Sequence, residues 1–379
     1  MRARAAEADP SDVTAVARLR KKHSAELVRA ALHLAEARRK LERKWSGEPA
    51  ANDLVADPEG AEMASGSLAS AHKAARFART APAQRVWDLC CGIGADAAGL
   101  VRAGMDVVAI DRDPLRAWMA QRNAGCGVRA GDVESLLESG ELGEDCFHLD
   151  PSRRDDAGRR IRYELLTPGP EFIEKTCHEC TGAVKLPPGI NRGTGEVDPP
   201  PGEIEYISER GRMTQAVLWT GDLARHEVSA TMLRPGCDAE SIAGEPDGEH
   251  ACPWADIEDT AWVHTVDPCV ERAGLLHELC ARARTGLAHP GTGLLCADER
   301  SDDPMLSAFR VRAVMAWRRE KVRDWLRANE GGLVEIKTRG KAADTDKEQK
   351  ALRGDGGTPF TVFVLRFGQA VRSIIAERA

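Results

Sequence analysis

Residues 86–113 read VWDLCCGIGADAAGLVRAGMDVVAIDRD, and their reading decides the fold. Val86, Trp87 and Leu89 spell a short buried strand, and Cys90-Cys91-Gly92-Ile93-Gly94 a tight turn. Ala95–Ala103 has a helical pattern, and Met105–Ile110 is a second apolar strand that stops at Asp111. The result is one β-α-β unit, with a glycine turn after its first strand and a carboxylate at the tip of its second. Gly92 and Gly94 let the backbone bend and approach a ligand where a Cβ would clash. Asp111 stands where a ribose diol would present two hydroxyls. The pattern predicts a nucleoside-like cofactor.

The turn narrows the choice. A dinucleotide fingerprint, G-x-G-x-x-G, rests a pyrophosphate on the helix N-terminus. Here Ala97 occupies the third glycine position, and Asp88 precedes the turn. A carboxylate there repels a pyrophosphate and suits a cationic, amine-bearing ligand. S-adenosylmethionine, with its sulfonium and α-ammonium, fits that acid. A dinucleotide and a purely structural turn are the alternatives.

Outward from this unit, Pro114 suits a helix first turn, and LRAWMAQRNAG follows as that helix. Val128 opens a third strand ending at Gly131-Asp132, where the acid would accept from an adenine amine or cap a helix. Cys146–Leu149 is a fourth strand, with Asp150-Pro151-Ser152-Arg153-Arg154 at its tip, and Ala183–Leu186 a fifth. Asp88, Asp111, Asp132 and Asp150 thus all fall at carboxyl ends of strands, where open α/β sheets bind ligands. Ile204–Ser208 and Gln215–Trp219 read as a closing antiparallel pair. Upstream, residues 12–45 form a helical pattern ended by Gly47-Glu48-Pro49, and Leu68–Arg79 a second. Ser67, His72 or Lys73 would line the site from there, or the helix only packs.

Downstream, residues 226–260 are rich in Gly, Pro, Asp and Glu and read as a hairpin or linker. From residue 261 a small basic α+β domain is expected. Its helices would lie at Glu271–Arg284, Phe309–Asn329 and Thr345–Leu352, and its strands at Val334–Lys337 and Phe360–Phe367. The predicted organisation is therefore an N-terminal helical segment (1–60), a Rossmann-like domain (61–225), the linker and the C-terminal domain (261–379).

Charge is unevenly spread over the 379 residues, whose net charge is −7. Residues 1–50 hold 12 Lys/Arg against 7 Asp/Glu, and residues 306–379 hold 16 against 9. Basic ends on an acidic body fit a polyanionic partner, and equally fit ordinary solvated helix faces. The charged N-terminus shows no apolar leader, and no apolar run reaches the ~18 residues of a membrane span. Eleven cysteines, two of them adjacent, suit reduced thiols in a cytoplasm better than a disulfide framework.

Taken in order, DLCCGIGADA, AIDRDPLRA, HLDPSRR, KLPPGI, EYISERGRMTQAVLW, DPCVERAGLL and VEIKTRGKAADTDKEQKALRG resemble bacterial class I S-adenosylmethionine-dependent methyltransferases with a C-terminal THUMP-like domain. The likeness runs from about residue 60 to the C-terminus. It implies a doubly wound, mostly parallel seven-stranded sheet. It implies cofactor contacts at Asp88, Cys90, Gly92, Gly94, Asp111, Arg112 and Asp132, and RNA as the partner.

Methyltransferases that act on exocyclic amines commonly carry Asp/Asn-Pro-Pro-aromatic at the fourth strand. This chain has Asp150-Pro151-Ser152-Arg153. The amine acceptor is present and the stacking ring is not, so an arginine plane would stack instead, or Arg153 and Arg154 would hold a phosphate. Asp150, Pro151 and Arg153 are the catalytic candidates, with helix or turn capping as the alternative for Asp150. Cys177-His178-Glu179-Cys180 lacks a second pair at metal-ligand spacing, so no metal is expected. His72, His148 and His178 show no partner by spacing and read as structural. The expected activity is methylation of an RNA base. A small-molecule or protein methyltransferase, and a non-catalytic nucleic-acid-binding protein on the same fold, are the competing classes.

Overall fold

The computed structural model describes residues 13–45, 54–153, 162–193, 197–246, 256–288, 292–339 and 342–379. The expected helix stop at Gly47-Glu48-Pro49, Arg154, and residues 247–255 of the expected linker lie outside the described residues. Of Arg153 only the backbone is described. The chain divides into two units, the first being residues 1–210, 214–227 and 233–239.

In the first unit, the expected strands form β1 (Val86–Leu89), β2 (Val107–Asp111), β3 (Gly127–Ala130) and β4 (Cys146–Leu149). A two-residue ribbon, β5 (Ser152–Arg153) with β6 (Leu166–Thr167), follows β4. Then come β7 (Gly182–Leu186), β8 (Glu203–Glu209) and β9 (Arg212–Trp219). The order across the sheet of this unit is β3-β2-β1-β4-β7-β9-β8. β1, β2, β3, β4 and β7 run parallel, and β9 lies antiparallel to β7. The order reverses at β1, which makes its carboxyl end the topological switch point.

The N-terminal helical pattern is two helices rather than one, α1 (Val13–Arg20) and α2 (Ala25–Lys44). Ser24 separates them as an N-cap, its hydroxyl accepting from Leu27 N at 3.3 Å. Next are α3 (Pro58–Met63), α4 (Ser67–Thr80), α5 (Ala95–Arg102), α6 (Pro114–Ala124), α7 (Val133–Glu138) and α8 (Pro170–Glu179). One core joins Phe77 of α4 and Leu100 of α5 to Val86, Cys146, Val217 and Trp219 of the sheet. A second gathers Leu41, Trp45 and Ala61 around Ile93 of the turn. Over the far strands, Arg76 ion-pairs Glu203 and lies 4.4 Å from the Trp219 ring centroid, while His72 Nε2 is 2.7 Å from Glu205.

The second unit takes residues 211–213, 228–232 and 240–379, so the hairpin β10 (Val228–Leu233) with β11 (Glu240–Gly244) groups chiefly with it. Its sheet contains β12 (Trp262–Val266), β13 (Gly286–Leu287), β14 (Leu294–Ala297), β15 (Leu306–Ala316), β16 (Gly331–Thr338), β17 (Thr358–Phe367) and β18 (Ala370–Arg378). The order is β13-β14-β12-β15-β18-β17-β16. Four helices, α9 (Pro268–Ala273), α10 (Leu276–Ala283), α11 (Arg319–Ala328) and α12 (Thr345–Leu352), complete it.

Two sequence expectations fail here. The pattern at Glu271–Arg284 is two helices, split where Gly274 turns left-handed at φ 71°. Phe309–Asn329 is a strand followed by a helix. Residues 309–316 alternate exposed arginines, Arg310 and Arg312, with less exposed apolar residues, a period of two that packs on both sides of the sheet. Among the described residues nine cysteines are free thiols and Cys280 is disulfide-bonded, where reduced thiols were expected to prevail over a disulfide framework. No helix among the described residues is long and apolar enough to cross a membrane.

Candidate active site

A cavity of about 380 Å³ opens at the carboxyl ends of β1, β2 and β4. One wall is the turn Cys90–Ile93, the tip Asp111–Asp113, the segment Gly131–Glu134 and Asp150. The other comes from chain preceding β1, including Glu59, Gly60 and Met63–Ser65.

The turn owes its shape to left-handed residues. Cys90, Gly92 and Gly94 have φ of 59°, 55° and 79°. A Cβ on Gly94 would lie 2.8 Å from the Ala120 Cα, so only glycine lets α5 approach α6 this closely. Gly94 thus shapes the cavity from behind its surface. At Gly92 a Cβ would meet nothing within 4 Å, which leaves open space over the turn. Burial pushes the thiols of Cys90 and Cys91 well up from the ordinary thiol range.

Asp111 joins the two strand tips. Its Oδ2 accepts from Gly92 N at 2.8 Å and its Oδ1 from Asp113 N at 2.9 Å. Each oxygen keeps a further lone pair for a ligand hydroxyl. Asp132 caps α7, accepting from Glu134 N at 2.8 Å, and lines the cavity as well, so the two sequence readings of this acid are compatible. Arg112 sits beside Asp111 on the lining.

Asp88 is placed differently from the expectation. It is 1% exposed, absent from the cavity lining, and its Oδ1 lies 2.7 Å from His148 Nδ1. On the other side of that ring, Lys73 Nζ is 3.0 Å from Nε2. Lys73 also pairs with Asp96 at 2.8 Å, and Ser65 Oγ donates to Asp96 at 2.7 Å. Ser65 and Asp96 line the cavity, so this buried chain runs from β1 to the cavity wall. Burial raises Asp96, but the Lys73 ammonium and its hydrogen bond, together with the other positive neighbours including Lys185, outweigh it and hold the carboxyl well below its ordinary range. Asp88 goes the other way: burial lifts it above 3.8, although the His148 bond opposes the shift. Its Oδ2 is buried without a hydrogen-bond partner.

Asp150 follows β4, its N–H donating to Leu89 O at 3.1 Å, and its carboxylate lines the cavity. Lys185 on β7 donates to Asp150 Oδ2 at 2.6 Å and to Met63 O at 3.2 Å. Among the described residues no group bonds Asp150 Oδ1, which keeps its lone pairs for a ligand. Pro151 is buried outside the cavity lining, while Ser152 reaches the lining.

The second wall is held from behind by the end of α2. Lys44 Nζ donates to Ala64 O at 2.8 Å and also to Glu62 O, Trp45 Nε1 donates to Ser65 O at 3.1 Å, and Lys40 bonds Pro58 O at 3.2 Å. Burial, helped by the neighbouring Lys185 charge, lowers Lys44 to about 8. Of the upstream liners considered from sequence, Lys73 acts through the buried chain, His72 binds Glu205, and Ser67 is buried outside the lining. Lys185 and the Lys73–His148 contact escaped the sequence reading. A lysine inside the apolar run AVKL was the available signal for the first.

A parallel sheet reversing at a glycine turn, with acids at successive strand tips, defines the Rossmann-like methyltransferase architecture. Residues 306–378 match the THUMP domain-like family, the span from β15 through β18. The chain is 30% identical over 315 residues to uncharacterized S-adenosylmethionine-dependent methyltransferases from two Mycobacterium tuberculosis strains, covering 82% of this chain and 84% of theirs. It belongs to that family of S-adenosylmethionine-dependent methyltransferases. A candidate methyltransferase of Porphyromonas gingivalis W83 has the same fold, with a TM-score of 0.75, 17% identity, and coverage of 98% of this chain and 99% of that one. The residues present fit the cofactor. There is open space over Gly92, spare acceptor capacity on Asp111, and an unpartnered buried oxygen on Asp88 below the turn.

Proposed function

We propose that this enzyme methylates RNA at an amine nitrogen of a base. The observation that carries the reading is Asp150, a carboxylate acceptor at the β4 tip, fixed by Lys185 and facing the cofactor cavity. When bound, S-adenosylmethionine supplies an already activated methyl group, so alignment is the main task left to the protein. Asp111 would hold the ribose hydroxyls, Asp132 the adenine amine, and the Cys90–Ile93 turn the methionine portion, with Arg112 closing the ribose side. Asp150 Oδ1 would accept a hydrogen bond from the substrate N–H, orient the nitrogen and stabilise the positive charge that grows on it. Pro151 restricts the backbone after Asp150, and Arg153 follows where a base plane or a phosphate would be gripped.

RNA is favoured as substrate by the THUMP domain-like match and by the basic character of residues 306–379, including exposed Arg310 and Arg312 of β15, exposed Arg318 before α11 and half-buried Arg323 within it. Mass spectrometry of tRNA and rRNA nucleosides from a deletion strain is the test. One methylated base should vanish, return with the wild-type gene, and stay absent with Asp150→Ala. A modification that returns with Asp150→Ala would refute the role of the acid. Unchanged RNA nucleosides would refute RNA as the substrate.

A further inference from the structure

Helix α6 is covered on two sides and open on its outer one. Ala120 and Ala124 pack into the sheet core, and Met119 packs with Leu41, Trp45 and Ala61. Asn123 is held by Val55 and by the Ile93 carbonyl. The outer stripe, Leu115, Trp118 and Arg122, is spaced i, i+3, i+7 and so shares one face. Leu115 is 56% exposed and Trp118 49%. Among the described side chains, Trp118 is the only exposed aromatic ring. The helix contains Arg116 and Arg122 and no acid. Arg116 is paired with Glu59 at 2.7 Å. Exposed Arg122, and exposed Arg112 just before the helix, form no ion pair among the described residues.

This open face starts at the mouth of the cavity. Arg112, Asp113 and Arg116 line the cavity, and Trp118 stands two residues past Arg116, about 3 Å farther along the helix axis. A base methylated inside a cavity must leave its stack, and the base next to it then loses a partner. The β4 tip, Asp150-Pro151-Ser152-Arg153, has no ring to replace that partner. An exposed indole does, because every base has a π-face. The apolar Leu115 and Trp118 with the unpaired Arg122 match a nucleotide strand, whose bases are flat and whose phosphates are anionic. A second copy docking by two-fold symmetry would instead set these arginines against their own like charges. We propose that the outer face of α6 receives the RNA strand beside the target base, with one unpaired base stacked on Trp118 and its phosphate on Arg122. The placement rests on RNA as the substrate and adds the surface that holds it outside the cavity.

Methyl transfer from labelled S-adenosylmethionine to total RNA of the deletion strain tests it, with direct RNA binding and light scattering on the full chain. Trp118→Leu keeps an apolar side chain and removes the ring. It should weaken RNA binding at least fivefold, and the loss should fall on the KM for RNA rather than on kcat. S-adenosylmethionine affinity should stay within about twofold, and the melting temperature should hold, since half of the side chain already faces water. Trp118→Phe, which restores a ring, should recover most of the loss. Arg122→Ala should lower the salt slope of RNA binding by about one. RNA binding by Trp118→Leu as tight as wild type would overturn the proposal and leave RNA standing as the substrate. So would a parallel loss of S-adenosylmethionine affinity, which marks a structural role for the ring, or a wild-type dimer that Trp118→Leu dissociates. A wild-type protein that transfers no methyl to RNA would overturn the substrate reading and this surface with it.

Discussion

Replacing Lys185 with Met tests whether the ammonium behind Asp150 serves the reaction. The substitution keeps the chain's length and apolar stem but removes two donations, to Asp150 Oδ2 at 2.6 Å and to Met63 O at 3.2 Å. Removing one member of a fully buried pair costs ~3–5 kcal/mol, because the other charge is stranded. Here the Asp150 side chain is 27% exposed and water can reach it, so a loss of about 1–3 kcal/mol is expected. At ~2–4 °C per kcal/mol for a domain of this size, the melting temperature should fall by several degrees, not tens. Asp111 and the turn are untouched, so S-adenosylmethionine affinity should stay within a few-fold. Methyl transfer to RNA from the deletion strain should drop by about tenfold or more, with Lys185→Arg recovering part of it. A double-mutant cycle with Asp150→Asn should show strong coupling in transfer and little in cofactor binding. Wild-type transfer in a folded Lys185→Met protein would refute the reasoning.

Asp111→Ala strands the Gly92 and Asp113 N–H groups and removes the ribose acceptor. At roughly 1.5–3 kcal/mol per charge-assisted bond, S-adenosylmethionine affinity should fall by at least a hundredfold in calorimetry, and an unchanged affinity would disprove the ribose assignment. Gly94→Ala puts a Cβ 2.8 Å from the Ala120 backbone at φ 79° and should cost ~1–3 kcal/mol in denaturant unfolding. Asp88 gives a pH dependence whose sign is fixed. Its folded pKa lies above 3.8, so the ligand-free native state holds that proton more tightly than the unfolded chain. Its contribution to stability is therefore fully present below 3.8 and lost as pH rises through the raised value. S-adenosylmethionine binding should strengthen over the same rise and release protons, and calorimetry in buffers of different ionisation heat will detect that release. Binding of bulk tRNA to the full chain should weaken steeply with salt, and charge reversal at Arg310 and Arg323 should reduce that slope.

Much of the catalytic sheet was legible because its signals are local. A β-α-β unit with its glycine turn lies within 28 consecutive residues, and the acids at Asp111, Asp132 and Asp150 follow strand ends visible in the apolar pattern. What the sequence concealed was depth. Asp88 occupies a strand position facing the interior, and only the pairing of β1 with β4 shows that His148 stands directly beside it. Lys185 meets Asp150 because Leu149 pairs with Val184, a register between residues 35 apart that no short motif records. The helical pattern at Phe309–Asn329 fails over residues 309–316, whose Ala, Arg and Met suit helices, because the neighbouring strands β12 and β18 outweigh that propensity.

The clamp on residues 58–65 bears on where this enzyme can be cut. Every β-strand of the parallel sheet begins after residue 85, so a fragment starting there would contain the entire nucleoside-binding motif. It would still lack Glu59, Gly60 and Met63–Ser65 of the cavity, and Lys185 would lose its Met63 acceptor. A fragment starting at residue 54 would regain that wall but not Lys40, Lys44 and Trp45, which grip its carbonyls from α2 and its C-cap. The smallest piece able to retain the cofactor in this geometry therefore begins upstream of residue 40, well before the first strand.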